Sequence, residues 1–245
     1  MMTQLRVGDC IRSGWEGFKK NAGTAIGIVV VYGIITSIGN VIPIVNLAVA
    51  VVVTPVMSAG LAMFALKAAR GGEGRIEDLF AGFNGDWFGS FIGAYWLFVA
   101  IVAAAFVPPL IGFIIDVVIH GGFTNFFPYV TIVVSAVSLV VLIAVVLRFS
   151  MVTYLIIDGL AVMDAFKESA RITKGFTGKL FLLAMVNGLM ILGGILLLFI
   201  GLLFAMPLTM IVFAAAYTKL KPDGPAAAVQ APSPDVAPPP AAPSM

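Results

Sequence analysis

Residues 180–218 read LFLLAMVNGLMILGGILLLFIGLLFAMPLTMIVFAAAYT, a stretch of 39 residues that contains no Lys or Arg. Two further stretches without these residues run over 21–66 and 76–147. All 14 Lys and Arg residues therefore fall into four short blocks, at 6–20, 67–75, 148–179 and 219–221. A membrane-spanning helix needs about 20 apolar residues, so each stretch can hold two crossings. The pattern predicts an all-α bundle of six membrane-spanning helices, arranged as three hairpins.

The composition favours an integral membrane protein. Hydrophobic residues make up 61% of the chain and charged residues only 11%, which is too few to cover the surface of a soluble domain. Lys and Arg collect in cytoplasmic loops of membrane proteins, so we expect the four blocks on the cytoplasmic side. This predicts a multi-pass protein of the inner (plasma) membrane with both termini cytoplasmic. A net charge of +2 gives no reason to expect a nucleic-acid partner.

The helices and units are predicted from the apolar runs and their breaks. We expect a single membrane domain over 1–221, built from three repeat-like units at about 5–70, 71–159 and 160–221. Spans are expected near 22–39, 44–67, 87–107 and 129–148, with two more inside 180–218. Pro108-Pro109 should end the third span, and the last turn should fall near Gly193-Gly194 or Gly201. Residues 222–245 are rich in Pro and Ala and predict a disordered tail.

A short amphipathic segment precedes each hairpin, at 5–20, 76–83 and 160–174. In the first, apolar residues recur every three or four positions, which places them on one helical face. Such segments lie in the membrane interface with basic side chains toward anionic head groups, or they cap the end of the bundle, and the two roles are compatible. The candidate contacts with anionic lipid are Arg12, Lys19, Lys20, Lys167, Arg171 and Lys174.

Few polar residues stand where they could carry chemistry. Arg148 lies in a long apolar run, where an ionisable side chain is a candidate functional residue that needs a partner. The nearest acids, Asp158 and Asp164, are the candidates for an intramembrane ion pair; alternatively, Arg148 extends to the head groups. Asp116 and His120 could share a helix face on the far side and there bind a cation or relay a proton, or they could simply be solvated. With one His and one Cys, the sequence indicates no metal site, cofactor or catalytic group.

Other residues are candidates for helix packing. Gly85, Gly89 and Gly93 repeat at every fourth position, which would let another helix approach closely. Pro55 and Pro207 should kink their helices, because proline cannot donate the helical hydrogen bond. The mid-span residues Asn187 and Thr54 should hydrogen-bond between helices or to the backbone.

Several soft motifs resemble a functionally uncharacterised family of bacterial multi-span membrane domains, found alone or fused to glycerophosphoryl diester phosphodiesterases. The motifs are residues 55–61 (PVMSAGL), 68–73 (AARGGE), 76–83 (IEDLFAGF), 148–150 (RFS), 157–159 (IDG), 164–169 (DAFKES) and 173–175 (TKG). The resemblance covers about residues 5–220 and implies a multi-span helical membrane protein. The phosphodiesterase barrel and its acidic metal ligands are absent from the sequence, so the resemblance implies no enzymatic activity.

Three functions remain open. The first is a non-enzymatic protein that organises lipids or acts as an accessory or scaffold for membrane proteins, including copies of itself. The second is a small transporter or channel that uses Arg148 and the kinked helices. The third, an enzyme acting on lipid head groups, is weakest because acid–base residues are scarce. A permeation path should be lined by several polar groups, and the span interiors hold few, so the first reading leads.

Overall fold

The structure of the chain, a computed structural model, describes residues 6–41, 43–83, 85–120, 129–197 and 200–221. Within these ranges the chain is helical apart from short turns and contains no strand, so the predicted all-α class is confirmed. The α-helices are α1 Val7–Val41, α2 Pro43–Ala48, α3 Thr54–Ala69, α4 Gly85–His120, α5 Tyr129–Phe149, α6 Val152–Ile157, α7 Val162–Ile172, α8 Thr177–Leu196 and α9 Leu202–Leu220. A π-helical turn, Val49–Val53, joins α2 to α3, and a 3₁₀ helix, Ile76–Phe83, precedes α4.

Six segments of the described chain are long and apolar enough to cross a membrane. They are Val7–Ile38, Val45–Ala69, Phe88–Ile114, Ile132–Ile157, Thr177–Leu196 and Leu202–Leu220. The six predicted spans in a helical bundle are therefore confirmed, and the chain is a multi-pass membrane protein. The predicted tail at 222–245 lies outside the described residues.

The first amphipathic segment and the first span form one helix, α1, with a break at Asn21. Asn21 has φ −116° and ψ 16°, which are not helical values. Its buried side chain donates to the carbonyl oxygens of Gly17 and Gly72, at 3.0 and 3.2 Å. Its Oδ1 accepts from the Gly74 amide at 2.9 Å. One Asn side chain therefore fixes the loop after α3 against the point where α1 bends.

A π turn, Val49–Val53, lies just before Pro55, and the kink expected at this proline stays a prediction. Proline has no amide hydrogen, so the carbonyl of Val51, four residues earlier, loses its helical donor. The indole Nε1–H of Trp96 on α4 donates to that carbonyl at 3.0 Å. The Thr54 amide donates to Val49, which gives the wider π spacing. The freed backbone group is thus satisfied from a neighbouring helix, as the interior of a bilayer requires. The kink expected at Pro207, which lies inside α9, stays a prediction.

The prediction that Pro108-Pro109 ends the third span is wrong, because α4 continues through both prolines to His120. Leaving the helix within hydrocarbon would expose several unpaired backbone groups, whereas two prolines remove only two donors. The prediction for Asp116 and His120 concerns side chains outside those that the structure describes.

The buried core lies mainly between α1, α3, α6 and α9. In the membrane-spanning part of α9, 56% of residues are buried, against 6% in the corresponding parts of α4 and α5. Close backbone approach occurs at glycines of this core: a Cβ on Gly60 would lie 2.1 Å from the Leu79 carbonyl oxygen, and one on Gly82 would lie 2.8 Å from that of Val56. The 3₁₀ helix therefore packs directly on the backbone of α3.

The predicted packing glycines of α4 do not have this role within the chain. A Cβ on Gly89 or Gly93 would meet no atom within 4 Å. The packing around Gly85 lies outside what the structure describes. No described helix approaches α4 at Gly89 or Gly93, so that part of the prediction is wrong for the single chain.

The last hairpin turns between α8 and α9, so of the two predicted places the one near Gly201 is correct. A Cβ on Gly194 would lie 2.9 Å from the carbonyl carbon of Gly201. Two glycines therefore allow the helices to touch where the hairpin closes.

Candidate functional site

A buried carboxylate, Asp158, is the centre of the main polar cluster in the described chain. Nη2 of Arg70 donates to both of its oxygens, at 2.9 and 3.0 Å, and the Tyr217 hydroxyl donates to Oδ2 at 2.6 Å. The Asp158 side chain is 2% exposed and that of Arg70 is 25% exposed. The negative charge is thus both paired and hydrogen-bonded, which a buried carboxylate requires.

Helix ends position the three residues of this cluster. Arg70 follows the last residue of α3, and Asp158 follows the last residue of α6. Gly159, with φ +91°, then turns the chain away, a conformation that favours glycine. Tyr217 lies in the last turns of α9, and its ring stacks on that of Tyr154 with centroids 5.3 Å apart. The cluster therefore joins the ends of three separate segments.

These contacts place the four Lys/Arg blocks at one end of the bundle, which we call the basic end. Lys20 Nζ donates to the Gly71 carbonyl at 2.7 Å, which brings the first block to the second. Arg70 and Asp158 join the second block to the third, and Tyr217 brings in the end of α9 beside the fourth. The chain therefore carries its Lys and Arg at one end of the bundle, as the spacing predicts.

A second acid at the basic end, Asp78, organises the start of the 3₁₀ helix. It pairs with Lys67 of α3, and its Oδ2 accepts from the Arg75 amide at 2.8 Å. A side chain that reaches back to the amide three residues earlier is the arrangement of a capping box. Asp78 therefore both starts the 3₁₀ helix and ties it to α3.

The predicted intramembrane ion pair of Arg148 is not formed among the described residues. Asp158 pairs with Arg70, and Asp164 lies 3.8 Å from Lys167 on the exposed side of α7. The Arg148 side chain is exposed, while its carbonyl accepts from Ser169 at 2.8 Å. The physical reason is the break after α5: the chain turns at residues 150–151, and α6 carries Asp158 to the end of α3.

The residues predicted to contact anionic lipid lie at the protein surface. Arg12, Lys19, Lys20, Lys167, Arg171 and Lys174 are all exposed. Part of each apolar face packs on the protein: Phe18 of α1 and Phe166 of α7 are buried, and the ring centroids of Phe166 and Phe149 lie 5.2 Å apart, whereas Trp15 and Met163 are exposed. A hydrogen bond from Arg171 at 2.7 Å lowers the pKa of the Glu168 carboxyl below its ordinary value. The segments therefore cap the bundle and leave their basic side chains exposed, four of them with a partner inside the protein: Arg12, Lys20, Lys167 and Arg171.

Two adjoining cavities lie between the helices. The smaller, of about 190 Å³, is enclosed by α3, α4, α5 and α6 and is called the α4 cavity. The larger, of about 420 Å³, is enclosed by α1, α3, α6 and α9 and is called the α1 cavity. Ser58, Ser150 and Thr153 line both. The remaining lining is apolar apart from the phenols Tyr95, Tyr32 and Tyr154 and includes no charged side chain.

The polar residues that the sequence places within the spans do not line these cavities. Arg148, Asn187 and Thr54 line neither cavity. Asn187 is buried on α8, and its Nδ2 donates to the Thr209 carbonyl of α9 at 3.5 Å, which agrees with the predicted hydrogen bond between helices. Its Oδ1 is buried and has no partner among the described residues.

The sequence did not indicate Arg70, Tyr217 or the hydroxyl groups of the cavities. Arg70 is one cation among several in a loop block, and Tyr217 ends an apolar run, so neither stands out by composition. Asp158 was found as an acid inside an apolar run, but its partner was not. Within the described residues no group of three His, Cys, Asp or Glu side chains could hold a metal ion.

Comparison of the chain with protein-family models, with curated proteins and with solved structures gives no match.

Proposed function

We propose that the chain is a non-enzymatic membrane protein that binds anionic lipid head groups at its basic end and organises lipids, or acts as an accessory to other membrane proteins or copies of itself. The observation that carries the proposal is the row of exposed basic side chains on and beside α1 and α7, two helices that pack on the protein through Phe18 and Phe166. Each Lys or Arg near an anionic membrane surface contributes about 1 kcal/mol of attraction. The proposal places this end at the cytoplasmic side of the inner membrane.

The state of the buried carboxylate supports a non-enzymatic role. Asp158 already accepts from Arg70 and Tyr217, so it has little capacity left to act as a base toward a substrate. The family resemblance stays part of the proposal. Its motifs contain Gly60, Arg70 and Asp158, which make close packing and the buried ion pair here.

The alternative, a small transporter or channel, has less support. A permeation path needs several polar side chains along one cavity. Arg148, Asn187 and Thr54 do not line the described cavities, and hydroxyl groups are the main polar groups that do. Solute flux through liposomes that contain the purified protein would favour this alternative.

Lipid preference tests the proposal. The purified protein is equilibrated in mixed micelles with equal amounts of phosphatidylglycerol and phosphatidylcholine, and retained lipid is counted by native mass spectrometry. We expect the anionic lipid to be preferred. Changing Lys19, Lys167 and Lys174 together to Gln should lower that preference by up to about fivefold for each residue, from about 1 kcal/mol each.

The matched control changes the same three lysines to Arg, which keeps the charge and the long side chain. The control should retain the preference of the wild-type protein. Equal retention of both lipids by the wild-type protein, or an unchanged preference in the Gln variant, would contradict the proposal.

A further inference from the structure

We propose that the α4 and α1 cavities together form a binding site for an uncharged lipid alcohol, with its hydroxyl group at Ser58, Ser150 and Thr153. This site is separate from the head-group contacts at the basic end. The two proposals have in common only that the chain lies in a membrane. The three residues line both cavities, so a ligand at this position can extend into each.

The size and lining of the cavities exclude water as a satisfactory occupant. The α1 cavity, of about 420 Å³, is open to the bundle surface and has room for an extended chain rather than for a single water molecule. A water molecule occupies about 30 Å³ and needs two to four polar partners. Most of the lining is apolar, with side chains such as Phe98 and Met210, so most water molecules inside would lack partners. The apolar chain of a lipid, in contrast, can contact this lining without leaving a polar group unpaired.

The openings of the cavities indicate that the occupant comes from the bilayer. Each cavity opens at the bundle surface, where Val146 borders the α4 cavity and Met206 borders the α1 cavity. Both side chains lie on membrane-spanning segments and are about 40% exposed. Apolar exposed side chains on a spanning helix meet lipid rather than water. A lipid can therefore enter sideways, without crossing a polar surface.

The shared hydroxyl groups select the polar part of that lipid. Ser58 Oγ lies 2.7 Å from the Pro55 carbonyl, and Ser150 Oγ lies 2.8 Å from the Leu147 carbonyl. A carbonyl oxygen can only accept, so the hydroxyl group of each serine donates its single hydrogen to the carbonyl three residues earlier. What the two serines present to the cavity is lone pairs. The serines therefore need a donor, whereas the hydroxyl groups of Thr153 and of the lining tyrosines can themselves donate. A ligand group that both donates and accepts fits this set, which favours an alcohol over an ester.

The absence of charge in the lining disfavours a charged head group inside the cavities. No charged side chain borders either cavity, and an unpaired charge inside the membrane is costly. Phosphate-bearing lipids and ionised fatty acids would have to leave their head groups outside. Diacylglycerols and long-chain isoprenoid alcohols share the required chemistry, an apolar chain with one uncharged hydroxyl group.

Photo-crosslinking tests the site in the full chain. The protein is placed in phosphatidylcholine nanodiscs with a diacylglycerol that carries a photoreactive diazirine in one acyl chain, and labelled peptides are identified by mass spectrometry. We expect labels on peptides of α3, α4 and α6. Unlabelled dioleoylglycerol should compete with the label, whereas its acetate ester and phosphatidic acid should compete at least fivefold less well. Geranylgeraniol in a parallel competition distinguishes an isoprenoid source from a glycerolipid source.

Two variants separate recognition from folding. Ser58→Ala with Ser150→Ala removes the acceptors without changing the shape, and it should abolish the preference for the alcohol over its acetate. Ser138→Ala on α5, which lines neither cavity, should keep it. Ala62→Leu narrows the α1 cavity and should reduce labelling; its melting temperature reports whether it is folded.

Labels spread evenly over the lipid-facing surface, or equal competition by alcohol and acetate in the wild-type protein, would overturn this inference. Such a result would leave the head-group proposal intact if the Gln variant still loses its preference for phosphatidylglycerol. Conversely, specific labelling without any preference for anionic lipid would overturn only the head-group proposal.

Discussion

Replacing Asp158 by Asn removes the charge at the centre of the cluster but preserves the size of the side chain. One oxygen remains to accept from Arg70 or from Tyr217. The new amide group, a donor, must face the other donor. Because Asp158 is 2% exposed, water cannot fill the gap on that side, whereas Arg70, at 25% exposed, is partly accessible.

The magnitude follows from this geometry. Breaking a buried ion pair by removing one partner costs about 3–5 kcal/mol. Partial access of water to Arg70 lowers the expected loss in the free energy of unfolding to about 2–4 kcal/mol. For a chain of this length each kcal/mol lowers the melting temperature by roughly 2–4 °C, so we expect a fall of about 4–16 °C.

Thermal unfolding in detergent, followed by intrinsic fluorescence, measures the effect. Glu16→Gln is the matched control, because it removes a carboxylate that pairs with Arg12, and these side chains are 61% and 83% exposed. An exposed pair contributes about 0–1 kcal/mol, so the control should melt within roughly 3 °C of the wild-type protein. The double variant Arg70→Gln with Asp158→Asn should lose less than the sum of the two single variants, since neither charge is then left unpaired.

Two results would refute the reasoning. If Asp158→Asn melted at the same temperature as Glu16→Gln, burial would not be strengthening the contact of Asp158 with Arg70. If the losses of the two single variants simply added in the double variant, the two side chains would be energetically independent despite their distance of 2.9 Å.

Two contacts between helices give further predictions, read by the same melting experiment. Gly60→Ala should lose about 1–3 kcal/mol, because its Cβ would lie 2.1 Å from the backbone oxygen of Leu79 and must displace the 3₁₀ helix. Gly89→Ala, the control, meets no atom within 4 Å and should be neutral or stabilising by up to about 1 kcal/mol; equal losses for the two would contradict the packing. Trp96→Phe should cost about 1 kcal/mol by removing the donor to the Val51 carbonyl, and unchanged melting would show that this hydrogen bond contributes nothing.

The spans could be predicted because they depend on local composition. Apolar length and the placement of Lys and Arg are properties of single segments, and both survive in the folded chain. The prediction failed at Pro108-Pro109, where the local tendency to end a helix is opposed by the cost of unpaired backbone groups in hydrocarbon. The helix continues there because of the bilayer, and a local helix propensity does not take the bilayer into account.

The site could be predicted only in part, because its partners are set by the path of the chain. Asp158 was recognisable as an acid inside an apolar run, and Arg148 was the nearest cation in that run. The direct partner is Arg70, 88 residues away, and the turn after α5 decides this. A change of direction over two residues has no signature in apolar periodicity, so sequence spacing could not select between the two cations.

The three residues of the cluster come from the three repeat-like units expected from the sequence, and each stands near the end of its unit. Arg70 closes the first, Asp158 the second, and Tyr217 lies in the last turns of the third. Apolar side chains gain little by exchanging lipid for another helix, so packing and polar contacts hold membrane helices together. One carboxylate that needs donors from two other hairpins therefore makes the three interdependent, since withdrawal of any one leaves a buried polar group unsatisfied. The same logic accounts for α4 and α5, which are held at the cluster end through α6 and otherwise present apolar surface to lipid beside the openings of the cavities.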